Sequence, residues 1–180
     1  MIVEALPTLS KIVSHDKDRT IIDIIASTGG TTISSLLPGI IQNSHANSIE
    51  ISLLLIDSKS PFKDWFPNHW LGEVEMVIER IKNEFKNDKI RIDIYTYDNL
   101  PILHGIMVNK KHLIFGFFGW RHFSGKIQLS GAERPHRYYN RKEPGSEYFF
   151  DLFEDWFEHC PRELIYSFPE RISLEEGNSA

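Results

Sequence analysis

The sequence predicts an α/β fold in which a mixed β-sheet of about six strands is flanked by helices. In the first half of the chain, apolar runs of strand length alternate with stretches whose apolar residues recur at helical spacing, which is typical of parallel strands joined by crossover helices. In the second half, two apolar runs on either side of residues 109–112 predict a central β-hairpin. An aromatic stripe between residues 149 and 157 predicts a last helix that packs on the sheet.

Length and composition are typical of a single-domain globular protein. The chain has 180 residues, of which 41% are hydrophobic and 25% are charged, and such a chain can bury a core without a disulfide or a metal. We expect residues 1–19 to form a leader or a short N-terminal helix, residues 20–168 to form a single α/β domain, and residues 169–180 to form a flexible tail.

Composition also limits the compartment and the partners. No stretch approaches the ~20 apolar residues of a membrane span, and the first residues lack a signal-peptide pattern, so we expect a cytoplasmic protein without a membrane partner. The net charge of −5 disfavours non-specific nucleic-acid binding. Cys160 has no second cysteine to pair with, and the histidine spacing predicts neither a metal site nor a cofactor.

The first elements follow from local patterns. The β-branched run from Thr20 to Ala26 predicts a buried strand, and residues 27–32 form a loop rich in Gly, Ser and Thr. The next helix should begin near Ser34 or Ser35, because Pro38 is tolerated only in the first turn.

The later elements follow in the same way. Residues 49–57 predict a second buried strand that ends on Asp57, and Asn68 precedes a strongly amphipathic helix. Residues 89–97 alternate apolar and polar side chains, which predicts a strand near a sheet edge. Residues 126–130 predict a short final strand, and residues 131–145 a long basic loop.

The loop after the first strand is one candidate site. Ligands of open α/β sheets bind outside the carboxyl ends of the strands, where this loop should lie. Its N–H groups and hydroxyls could hold a phosphate at the following helix, although it lacks the Gly-Lys-Ser/Thr of a P-loop and could equally be an ordinary turn. The candidate ligand-binding residues are Ser27, Thr28, Gly29, Gly30 and Thr31.

His104 is the second candidate, because it begins an otherwise apolar strand. A buried imidazole must be either used or satisfied, for instance by a backbone carbonyl. A basic region between residues 110 and 142 holds one acid, Glu133, and contains aromatic residues that could stack on a base or simply close the end of the sheet. From this region we select Lys111, Trp120, Arg121, His122 and Arg137 as candidate ligand contacts.

The order of elements, with His104 on a late strand and Gly116 on the next, resembles one domain of the phospholipase D (HKD) superfamily. In that family each half-site carries His, one residue, Lys, four residues and Asp, followed by Gly-Ser, and two halves meet so that one His attacks phosphorus while the other protonates the leaving group. His104 and Gly116 match this pattern, whereas Ile106, Lys111 and Phe117 occupy the Lys, Asp and Ser positions. The resemblance implies a phospholipase D-like half with a degenerate HxK motif.

Three functional hypotheses follow. The first is a non-catalytic phospholipase D-like binding or regulatory module that recognises a partner protein or a small anionic, nucleotide-like ligand. The second is a divergent, metal-independent phosphodiesterase or nuclease that uses His104 across a homodimer interface. The third is a nucleotide second-messenger sensor that uses residues 27–32, because STGGT loosely resembles Rossmann-like receptors of that kind.

Overall fold

The computed structural model describes residues 6–85, 87–131 and 135–169. Its helices are α1 Leu6–Val13, α2 Leu37–Asn43, α3 His69–Glu84 and α4 Glu147–His159, with a π-helix at Thr32–Leu36 and a 3-10 helix at Lys63–Trp65. Its strands are β1 Arg19–Ile25, β2 Ser48–Ile56, β3 Ile90–Tyr97, β4 Leu103–Val108, β5 His112–Phe117, β6 Gly119–Phe123, β7 Lys126–Ser130, β8 Arg137–Asn140 and β9 Glu163–Phe168.

The predicted mixed sheet is confirmed, with seven strands in the order β8-β5-β4-β1-β2-β3-β9. β1, β2 and β3 are parallel, and every other neighbouring pair is antiparallel. Ile25 at the end of β1 pairs with Gly105, next to the start of β4. The beginning of β4 therefore lies at the carboxyl edge of the parallel strands, and the turn after β4 lies at the opposite edge.

Helices cover both faces of this sheet. Val77 of α3 and Leu55 of β2 both lie beside Gly29, which places α3 on the face that carries Leu55. The ring of Phe149 in α4 lies 6.0 Å from that of Phe115, whose row contains Leu54 and therefore belongs to the other face. The core is thus two apolar layers separated by the sheet.

The turn at the opposite edge is fixed by its own side chain. Asn109 and Lys110 have φ values of 53° and 55°, which are tolerated best by Gly, Asn and Asp. The Asn109 carboxamide accepts from the amide of Ile21 at 2.8 Å and donates to Asp16 Oδ2 at 2.7 Å. The predicted hairpin is therefore tied to β1 at its tip.

The predicted final strand, residues 126–130, does not join the main sheet. It forms β7 and pairs with β6 in a separate two-stranded ribbon. β4 begins at Leu103, after Pro101, and its pairing with β5 ends at Phe117. One further bond, from Phe118 N to Ile102 O at 3.0 Å, follows the last pair. The chain then leaves the sheet and pairs with itself.

Two strands of the main sheet were not predicted. β8 lies within the predicted basic loop and β9 follows Pro161, and neither has a strong apolar pattern because each is an edge strand. β9 pairs with the outer side of β3, so β3 is the strand next to the sheet edge and β9 is the edge strand itself.

Helical backbone after the first loop begins at Gly30, earlier than the predicted start at Ser34 or Ser35, and Ile33 N already bonds to the carbonyl of Gly29 at 2.9 Å. Leu37 N bonds to the carbonyl of Thr32, five residues earlier, so Pro38 lies in the first turn of α2 but follows the π-helix directly instead of starting a new helix. The missing amide of Pro38 removes the ordinary bond to Ser34, which allows this wider turn.

At the termini, α1 lies within residues 1–19, for which a leader or a short helix is expected. Residues 1–5 and the predicted tail from residue 170 onwards lie outside the described residues. Within the described ranges, no helix combines the length and the hydrophobicity that a membrane span requires.

Candidate functional site

A cavity of about 290 Å³ lies at the carboxyl edge of the sheet. It forms where the loop after β1, the first turns of α3 and the start of β4 converge, and we call it the edge cavity. It therefore brings together the two strongest sequence candidates, the loop and His104, which are more than 70 positions apart. Its lining consists of Ile25, Ala26, Ser27, Thr28, Gly29, Gly30, Thr31, Thr32, His69, Trp70, Glu73, His104, Phe118, Gly131 and His136.

The polar side chains of the edge cavity have unused hydrogen-bonding capacity. Thr28 Oγ1 accepts from the amide of Gly30 at 3.4 Å. The side chains of Ser27, Thr31, Thr32 and Glu73 make no hydrogen bond within the part of the chain that the structure describes, although Thr32 is only 3% exposed. Of these four, only Thr32 is buried, and buried polar groups are normally paired. The other three are accessible to solvent, so all four are available to hydrogen-bond a ligand.

Glu73 reaches the loop because residue 30 is a glycine. A Cβ at Gly30 would lie 1.8 Å from Glu73 Oε1, so any other residue there would displace the carboxylate. The helical periodicity of α3 places Glu73 outside its apolar stripe, so the sequence alone does not predict this contact. No Lys or Arg accompanies it among the described residues that line the edge cavity.

His104 is held by a second histidine that the sequence did not predict. Its Nδ1 lies 3.1 Å from His136 Nε2, with the two rings nearly perpendicular at 77°. On the other side of the ring, a Cβ at Gly116 or Gly131 would lie 3.2 or 3.1 Å from Nε2, and the ring of Phe118 packs on it at 4.5 Å. Nδ1 of His104 is therefore paired with His136, whereas Nε2 lies beside two glycines and has no hydrogen-bond partner among the described residues.

The electrostatics of His104 favour the neutral form. Burial is the largest cause, followed by the neighbouring His136, and together they lower its pKa to about 3. A general acid needs a pKa near the working pH, and His104 is neutral at pH 7. The imidazole is only half satisfied, because Nδ1 bonds to His136 whereas Nε2 is buried without a hydrogen-bond partner among the described residues.

The pair also has the wrong shape for displacement at phosphorus. In an in-line displacement the attacking and leaving groups lie on opposite sides of the phosphorus atom. Two imidazoles that hydrogen-bond to each other at 3.1 Å leave no room for phosphorus between them. This geometry argues against His104 and His136 acting as the attacking and the protonating group on one phosphorus atom.

Neither a scan of the chain against models of known protein families nor a search of curated proteins finds a significant match. The phospholipase D resemblance therefore stays a prediction. The geometry relevant to it is the mixed sheet and the register that sets His104 opposite Gly116 on neighbouring strands.

The remaining sequence candidates lie elsewhere. Lys111 lies in the turn at the opposite sheet edge, and Arg137 lies on β8 beside Phe117 and Tyr139. Trp120 and His122 line an apolar hollow of about 640 Å³ with Phe62, Trp65, Leu100, Arg121 and Ile127.

Arg121 lines a second hollow as well, together with residues from the start of α3. This second hollow is polar, has a volume of about 320 Å³ and includes His69. Of the candidates outside the loop, His104 lines the edge cavity, Arg121 shares the neighbouring hollow with His69, and Arg137 directly follows the cavity residue His136.

Proposed function

We propose that this chain is a non-catalytic, phospholipase D-like binding domain for a small nucleotide-like ligand, which it holds in the edge cavity. The observation that carries the proposal is the set of polar side chains that line this cavity without a hydrogen bond to the described residues, beside an aromatic wall: Ser27, Thr31, Thr32 and Glu73. A cytoplasmic, regulatory role is part of the proposal, and a partner protein would then respond to the bound state.

The aromatic wall supports a ligand with a flat ring. The rings of Trp70 and Phe118 lie 5.8 Å apart, and Phe118 in turn packs on His104. A base can stack against such a wall whatever its identity. Glu73 and the loop hydroxyls can then accept from base N–H groups or ribose hydroxyls.

The size of the edge cavity limits the ligand. Its volume of about 290 Å³ lies at the lower end of the range for small-molecule sites, which begins at about 300 Å³. This favours a single nucleoside unit inside the cavity over an oligonucleotide.

A thermal-shift screen with nucleosides, mononucleotides and cyclic dinucleotides tests the proposal. A ligand at ~100 times its Kd adds about 2.7 kcal/mol to the free energy of unfolding, which raises the Tm by about 5–10 °C. Thr31→Val should weaken the shift, and Ser34→Ala, an exposed hydroxyl outside the cavity, should leave it unchanged. The absence of a shift with every compound would refute the proposal.

The non-catalytic part has its own test. Any phosphodiesterase activity of the purified protein should be unaffected by His104→Asn, since Nδ1 of that ring is bonded to His136 and the ring is neutral at pH 7. A metal-independent activity that this change abolishes in a variant of unchanged circular dichroism would instead establish the enzyme hypothesis.

A further inference from the structure

We infer that the ligand extends out of the edge cavity and places a phosphate group in the polar hollow beside it, so that its class is a nucleoside phosphate. The inference rests on the proposed function and adds a second subsite. We call this subsite the ribbon hollow, and it is lined mainly by Pro67, Asn68, His69, Arg121, Lys126 and Gln128.

The two spaces are neighbours in the fold. His69 lines both of them. Phe118 and Gly131, which line the edge cavity, lie directly before β6 and directly after β7. The pair Arg121 and Gln128 lies three residues further along each strand, which at ~3.3 Å per residue is about 10 Å. One molecule of nucleotide size can reach both.

One face of the ribbon carries Arg121, Lys126 and Gln128. Arg121 pairs with Gln128, and Phe123 with Lys126, so all four project to the same side, and all four line the ribbon hollow. Trp120 and Ile127 belong to the opposite side, where they line the apolar hollow.

The chemistry of the ribbon hollow matches a phosphate. Arg121 and Lys126 supply positive charge, and the guanidinium carbon of Arg121 lies 5.2 Å from the ring centre of Phe123. Gln128 is only 7% exposed, yet its side-chain amide makes no hydrogen bond to the described residues. A guanidinium, an ammonium and a buried amide donor together can hold phosphate oxygens.

The charges of the two spaces are complementary to one ligand with two unlike ends. Glu73 would repel a phosphate in the edge cavity, whereas no Asp or Glu is among the described residues that line the ribbon hollow. The base and ribose therefore belong with Glu73 and the aromatic wall, and the phosphate belongs with Arg121 and Lys126.

Isothermal titration with a nucleoside and its 5′-monophosphate tests the second subsite. The monophosphate should bind at least tenfold more tightly than the nucleoside. Lys126→Ala and Arg121→Gln should remove that advantage and leave nucleoside affinity unchanged. Lys111→Ala, which removes an exposed cation at the opposite sheet edge, is the matched control and should change neither affinity.

The outcomes separate the two proposals. If the nucleoside and the monophosphate bind equally, and Lys126→Ala changes neither, the ribbon hollow is not a phosphate subsite and the edge cavity still is a binding site. If the whole series fails to bind, both proposals are wrong. If Lys111→Ala weakens the monophosphate as much as Lys126→Ala does, the effect is one of overall charge and the subsite is refuted.

Discussion

Replacement of Asp23 by Asn should stabilise the protein at neutral pH and have little effect at low pH. Asp23 lies in the middle of β1, between Ser52 and Met107 of the flanking strands, and is 8% exposed. Burial raises its pKa from 3.8 to about 6, Lys110 opposes the rise, and Glu158 and Glu154 add to it, with a smaller opposing effect from Arg162. The ionised carboxylate of Asp23 therefore destabilises the native state at neutral pH.

The magnitude follows from linkage. Because the folded chain holds this proton more tightly than the unfolded chain, the free energy of unfolding falls as the pH rises between the two pKa values. At about 1.4 kcal/mol per pH unit, the interval from 3.8 to about 6 corresponds to about 3 kcal/mol. This stability is fully present below pH ~4 and is lost above pH ~6.

Urea unfolding of the wild type and Asp23→Asn at several pH values between 4 and 8 measures the effect. The neutral amide avoids the loss, so the variant should be up to about 3 kcal/mol more stable at pH 8 and nearly equal to the wild type at pH 4. Asp151→Asn, an exposed position on the helix that covers this face, should change neither value. A variant that is less stable than the wild type at pH 8, or a difference independent of pH, would refute the reasoning.

Two further substitutions test local geometry. Gly30→Ala places a Cβ where Glu73 Oε1 now lies, so it should displace the carboxylate and reduce both the thermal stability of the protein and its affinity for the ligand in titration. The double variant Gly30→Ala/Glu73→Ala removes this clash, so it should recover the thermal stability. If Gly30→Ala binds as tightly as the wild type, the carboxylate is not a ligand contact. Asn109→Ala removes the bonds to Ile21 and Asp16 and places alanine at positive φ, so urea unfolding should show a loss of about 1–3 kcal/mol; an unchanged midpoint would contradict the role of this turn.

The sequence alone was enough to predict the central strands and one wall of the edge cavity, formed by the loop at residues 27–32 and His104. The runs that form β1, β2 and β4 are so continuously apolar that few alternatives exist. The rule that ligands bind at the carboxyl ends of strands then pointed to the loop at residues 27–32. His104 stood out because it is a polar ring at the start of an apolar strand.

The other wall depends on tertiary structure. His136 precedes β8, an edge strand whose polar composition gives no strand signal, and only the pairing of β8 with β5 brings this histidine to His104. Glu73 lies on the polar side of the α3 stripe, and helical periodicity separates apolar from polar positions but does not separate solvent from a polar cavity. A glycine at position 30 opposite the helix decides which of the two Glu73 faces.

The basic region between residues 110 and 142 is continuous in the sequence, but its cations lie in separate places in the fold. Lys110 contacts Glu158 at 3.4 Å at the far edge of the sheet, and Arg141 contacts Glu154 at 2.7 Å beneath α4. Arg121 and Lys126 instead line the ribbon hollow. The fold thus divides one basic stretch into separate places, and two cations beside a small cavity suit one or two phosphate groups, whereas duplex nucleic acid requires a continuous row of phosphate contacts.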